Sequence, residues 1–166
     1  WFAKRTGTSH EQRLARARGA EAVSCWFGCL VSADAIVLGE ELDDAQEAKL
    51  HLMLEGARGL LDGGVDAFLI ETCQDLLQVR CAVNACLKAL EARGRDPFAV
   101  PIMVSITIET TGTMLLGSDI ASAVNALRML PIARLGLNCA TGPVEMTSHV
   151  EYLCRHWDRF VSVVPN

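Results

Sequence analysis

Four residues in this chain have types and positions suited to chemistry: Glu71, Ser105, Asn138 and Cys139. Cys139 stands in Arg134-Leu-Gly-Leu-Asn-Cys139-Ala-Thr-Gly-Pro143, which reads as a short apolar strand running into a cysteine, with a helix opening behind it. A cysteine acts as nucleophile or metal ligand in its thiolate form. The point where a strand gives way to a helix is where α/β enzymes place reactive side chains. Glu71 closes the apolar run Val65-Asp-Ala-Phe-Leu-Ile70. A carboxylate there must be bound or paired, because burying it alone is costly. It is expected either to hold a ligand or to pair and cap near Asp75. Asn138 precedes the cysteine, so its amide can donate to a substrate carboxylate or order the loop. Ser105 and Thr107 alternate along one strand and therefore face the same way, as ligand contacts or as a hydrogen-bonded pair in the interior. His51, His149 and His156 read as helix-surface residues.

These groups need elements to hold them. Apolar positions at Leu50, Leu52, Met53, Ala57, Leu60 and Leu61 predict a helix over 41–63, capped by Asp43 or Asp44 and stopped at Gly63-Gly64. The near-continuous apolar run 65–70 predicts a strand buried on both faces. The pattern then repeats. Helices are expected over 75–92, from Ser118 to 130, and over 143–157; strands over 100–107, 133–138 and 160–164. Upstream, Ser9 and Gln12 have the spacing of a capping box before a helix over 9–23. The segment 23–31 that follows could be a strand, and its Cys25 and Cys29 lack the second pair that a zinc site needs.

Four apolar strands alternating with helices mean a parallel α/β architecture. An open doubly wound sheet and a βα barrel compete. No Gly-rich phosphate loop follows any strand, and Glu71, Ser105, Thr107, Asn138, Cys139 and Asn166 all fall at strand carboxyl ends, the catalytic face of a barrel. The expected fold is therefore a partial (βα)8 TIM barrel of about four βα units. A whole barrel needs about 250 residues, and the chain has 166.

Composition narrows the class. A net charge of -5 argues against a nucleic-acid partner. No apolar run approaches the roughly 18 residues of a membrane helix, and the N-terminus lacks a signal peptide's apolar stretch. The first residue is Trp1 rather than Met, as expected of a chain that begins inside a longer protein. Seven cysteines, odd in number and scattered through apolar segments, suit a reducing cytoplasm rather than a disulfide scaffold.

The ordered stretches carry a resemblance. Gly64-Val-Asp-Ala-Phe-Leu-Ile-Glu-Thr72, Pro101-Ile-Met-Val-Ser-Ile-Thr107, Gly112-Thr-Met-Leu-Leu-Gly117, Gly136-Leu-Asn-Cys-Ala-Thr-Gly-Pro143 and Pro165-Asn166 resemble the homocysteine S-methyltransferase family, in particular the homocysteine-binding barrel of its cobalamin-dependent branch. The resemblance implies that residues 41–166 are the central to C-terminal part of that barrel, with its last strand missing, and that 1–40 form a divergent N-terminal segment. It implies that Cys139 is one of three zinc-binding cysteines, the other two being a Cys-Cys pair beyond the C-terminus. It implies that Glu71 binds the amino group of homocysteine, with Asn138 and Ser105 as further substrate contacts. The methyl donor would be methylcobalamin on a separate domain, and the partners the folate-binding and cobalamin-binding domains of a larger protein. Against this stand two other readings. One is an inactive fragment or interaction module without zinc; the other is an unrelated βα-barrel enzyme using Glu71.

Overall fold

A computed structural model of the chain describes residues 44–166, with side chains from Leu50 onward. The expected helix over 9–23, its capping box, the segment 23–31 with Cys25 and Cys29, and a cap at Asp43 lie outside the described residues.

The described elements are α1 (Asp44–Asp62), β1 (Phe68–Cys73), α2 (Leu76–Glu91), β2 (Ile102–Ile106), α3 (Ile120–Leu127), β3 (Ile132–Asn138), α4 (Pro143–His156) and β4 (Phe160–Val164). The four strands form one open sheet in sequence order, with every pairing parallel. A doubly wound sheet would reverse its strand order part-way; this one does not. Each helix touches the next, α1 with α2, α2 with α3, and α3 with α4, so all four lie in one layer. A sequential parallel sheet with its helices on one side is a run of βα-barrel units, as the sequence suggested.

Side chains divide between the two faces. Phe68, Ile70, Ile102, Val104, Ile106, Ile132, Leu135 and Leu137 are almost completely buried against the helices. From the helices come Val79, Ala82, Val83, Cys86, Leu90, Val124, Leu127 and Leu153 to meet them. Strand alternation puts Leu69, Glu71, Met103, Ser105, Arg134, Gly136, Asn138, Phe160, Ser162 and Val164 on the opposite face, which a closed barrel turns toward its axis. Leu69, Phe160 and Val164 are exposed there.

The boundaries carry two corrections. β1 does not end at Ile70 but runs through Glu71 and Thr72 to Cys73, because pairing resumes after a register shift. Helix α3 is capped by Asp119, not Ser118: the Asp119 carboxylate accepts the Ser122 N–H at 2.8 Å. Ser118 instead belongs to the turn before it, where its carbonyl accepts the Met114 N–H. The α2 helix begins as expected, with Asp75 accepting from the N–H groups of Leu77 and Gln78 at 3.1 and 3.3 Å.

Candidate functional site

The site forms where β1, β2 and β3 end together. In β1, Ile70 pairs with Val104 and Cys73 with Ile106. Two residues, Glu71 and Thr72, therefore oppose the single Ser105. This is a β-bulge, a device that re-aims side chains and gathers beside active sites. Thr72 holds a left-handed backbone, φ 59°, a costly conformation for a β-branched residue. The bulge returns Cys73 to the core, where it is completely buried. That burial pushes its thiol up to about 12, with help from the nearby charges of Asp75 and Glu71.

Asn138 answers Thr72 from the other side of β2. Its Nδ2 donates to Thr72 Oγ1 at 2.8 Å, and the Thr72 N–H donates to its Oδ1 at 3.3 Å. The same Nδ2 donates to Cys139 Sγ at 3.1 Å. Asn138 is 2% exposed, so its amide is already committed on three sides.

Cys139 follows immediately, half-buried, at φ 57°, with Ala140 at φ 58°. Two successive left-handed residues turn the chain sharply out of the strand. The turn is tied down by hydrogen bonds from Cys139 N–H to the Val164 carbonyl, from Thr141 N–H to the Cys139 carbonyl, and from Asn166 N–H to the Thr141 carbonyl. Helix α4 then opens at Gly142-Pro143. Cys139 thus presents a partly accessible sulfur, fixed by backbone bonds and receiving one N–H donor. Metal thiolates are commonly supported by such donors, so the sulfur is suited to be one ligand of a metal. Among the described residues no group of three His, Cys, Asp or Glu could hold an ion by itself.

A family model described as homocysteine S-methyltransferase matches residues 10–166. The chain belongs to the homocysteine S-methyltransferase family. It is 52% identical over 112 residues to the methionine synthase of Mycobacterium tuberculosis (strain ATCC 25618 / H37Rv), and 52% identical over 112 residues to that of Mycobacterium leprae (strain TN). Each alignment covers 68% of this chain but 9% of the relative, so the chain spans a small fraction of the curated relatives it matches.

The remaining expected residues of this homocysteine S-methyltransferase domain take different positions. Glu71 is exposed on the bulge, two residues before the end of β1 rather than at its end. Among the described residues its carboxylate makes no ion pair and caps no helix; Asp75 caps α2. Ser105 is 3% exposed, level with Gly136 on β3. It is not bonded to Thr107, whose buried hydroxyl has no hydrogen-bond partner among the described residues. Gly136 is required where it stands: an added Cβ would collide with the Ser162 side chain and backbone of β4. His51 is exposed on α1, while His149 and His156 lie along α4, where the His156 ring packs on Tyr152.

Thr72 is the member of this cluster that the sequence reading passed over. Its signal was the polar doublet Glu71-Thr72 followed by an apolar cysteine. Strict alternation cannot place all three residues, and a bulge can.

Proposed function

We propose that this chain is part of a methionine synthase-type homocysteine S-methyltransferase, binding homocysteine and activating its thiol for methyl transfer to give methionine. The observation that carries this is the partly exposed Cys139, its sulfur bonded by Asn138 at a barrel strand's carboxyl end, in a chain of this family. Cys139 supplies one zinc ligand, and the resemblance assigns the other two to a Cys-Cys pair after this segment. Zinc bound there supplies the positive charge that makes a coordinated thiol lose its proton at neutral pH.

The chain's own residues do the rest. The exposed Glu71 carboxylate, without an ion-pair partner among the described residues, is proposed to take the substrate's ammonium group as a charge-assisted hydrogen bond. Ser105 lies on the same face and is proposed as a floor contact. Asn138, also expected at the substrate, contributes through the sulfur it holds, since its amide is already occupied. The methyl donor in this reading is methylcobalamin, carried on a separate domain of a longer protein that also has a folate-binding domain. Five free cysteines among the described residues, three of them buried, support a reducing cytoplasm as its location. Among the described residues, no helix is long and apolar enough to cross a membrane.

Zinc analysis of the longer protein tests the reading. One zinc per chain is expected in the wild type, and Cys139→Ser is expected to lose most of the zinc and at least about a hundredfold in methyl transfer. A Cys139→Ser protein with full zinc and full activity would sink it.

A further inference from the structure

We infer that Thr72 is the positioning residue for the Cys139 sulfur, acting across β2 through Asn138. β1 and β3 are not neighbours in the sheet, yet their ends are joined by reciprocal hydrogen bonds. The Thr72 hydroxyl accepts from Asn138 Nδ2, and the Thr72 N–H donates to Asn138 Oδ1. Together these two bonds fix both the place of the Asn138 amide and which of its ends faces which way. The orientation matters because the same Nδ2 donates to Cys139 Sγ. Were the amide turned over, its oxygen would face the sulfur and that donor would be lost.

The backbone on both sides supports this assignment. Thr72 and Cys139 each hold a left-handed conformation that residues with side chains rarely adopt. Such strain persists only where surrounding structure over-determines it, and it gathers at functional sites. The bulge that strains Thr72 is also what turns its hydroxyl toward Asn138, since a regular strand would bury this position against the helices. Thr72 acts through the Asn138 amide. It is a link between the strand that carries Glu71 and the loop that carries Cys139, so the substrate-facing and metal-facing sides of the site share one hydrogen-bonded frame. Ligands are known to depend on such outer partners for affinity, with losses of about ten- to a hundredfold when these are removed.

The inference rests on Cys139 being a zinc ligand, and the test separates the two. In the longer protein, zinc release to a chelator is timed for wild type, Thr72→Val and Thr72→Ser. Thr72→Val keeps the β-branched shape and removes the hydroxyl; it is expected to release zinc about ten- to a hundredfold faster. Thr72→Ser keeps the hydroxyl and is expected to stay within about threefold of wild type. Thr72→Ala serves in place of Thr72→Val if the latter does not fold. In an Asn138→Ala background, Thr72→Val is expected to add nothing, because the pathway is already cut. Wild-type release from Thr72→Val, or equal acceleration in Thr72→Val and Thr72→Ser, overturns the inference. If Cys139→Ser retains zinc, the metal reading itself fails. The Thr72–Asn138 cycle read on urea unfolding then decides the link: coupling supports it, and additivity ends it.

Discussion

At the carboxyl rim of the sheet, Thr72, Cys139 and Ala140 all hold left-handed backbone; at the amino rim the left-handed positions, before β1 and β2, are the glycines Gly64 and Gly94. The carboxyl rim is polar and cross-linked by side-chain amide and hydroxyl. The amino rim is lined by Pro97, Phe98, Pro101, Met129 and Pro131 around an open groove, and an arginine clamp closes it. Arg159 donates to the carbonyls of Leu130 and Ile132, each at 2.7 Å, and to that of Arg128, while its guanidinium lies 4.8 Å from the Trp157 ring centre. Arg128 in turn donates to the His156 carbonyl. These bonds tie the α3–β3 connection to the α4–β4 connection. One rim keeps strain and a partly accessible sulfur; the other gathers loose carbonyls and spends nothing on chemistry. This is the division of labour a βα barrel makes between its two ends.

Substitutions at the two rims are expected to separate along that line. The largest stability effect belongs to Arg159→Ala, which removes a charged donor from three carbonyls, of which that of Leu130 keeps the Ile132 N–H. Discounted for the part-exposed side chain, the loss is expected near 2 kcal/mol in denaturant unfolding, with homocysteine binding per folded molecule unchanged. A loss of substrate affinity in that variant would erase the distinction between the rims. Glu71→Gln is the converse. It is expected to raise KM for homocysteine about ten- to a hundredfold, the worth of one charged hydrogen bond, and to leave unfolding nearly unchanged, since Glu71 is exposed and has no ion-pair partner among the described residues. An unchanged KM would remove Glu71 from the substrate contacts.

The smallest effect is set by pH and sharpens the carboxyl rim. The Ser122 N–H bonded to Asp119 holds that carboxyl below its ordinary value. A lowered folded-state value means that the cap's contribution is complete above the unfolded pKa of about 3.9, and fades as pH falls through the folded value. Acid unfolding of wild type should therefore steepen below about pH 4, whereas Asp119→Asn, which caps without titrating, should flatten that limb. Identical acid limbs in the two proteins would show that the cap does not govern it.

Much of the frame was legible in advance because it rests on periodicity. The apolar runs at 65–70, 100–107, 133–138 and 160–164 recur as strands, and the helix expected from about Asp75 recurs as α2. Ser118 misled because it and Asp119 are both good caps, and the choice was made by the turn from Met114 to Ser118. Glu71 misled in a different way. It looked like the last residue of its strand because apolar character stops at Ile70, whereas backbone pairing continues to Cys73 through a bulge that has no sequence period.

By itself, then, the sequence determined the alternation of strands and helices, the cysteine at a strand's end, and the family to which five short stretches point. Those follow from local hydrophobic pattern and from residue type, which each segment carries with it. Only the tertiary structure decided that β1 and β3 reach each other over β2, that Thr72 bonds the Asn138 amide, and that Ser105 and Thr107 do not bond to each other. Hydrogen bonds between residues 66 positions apart depend on register, a bulge and two strained turns, and none of these leaves a repeating mark on the chain.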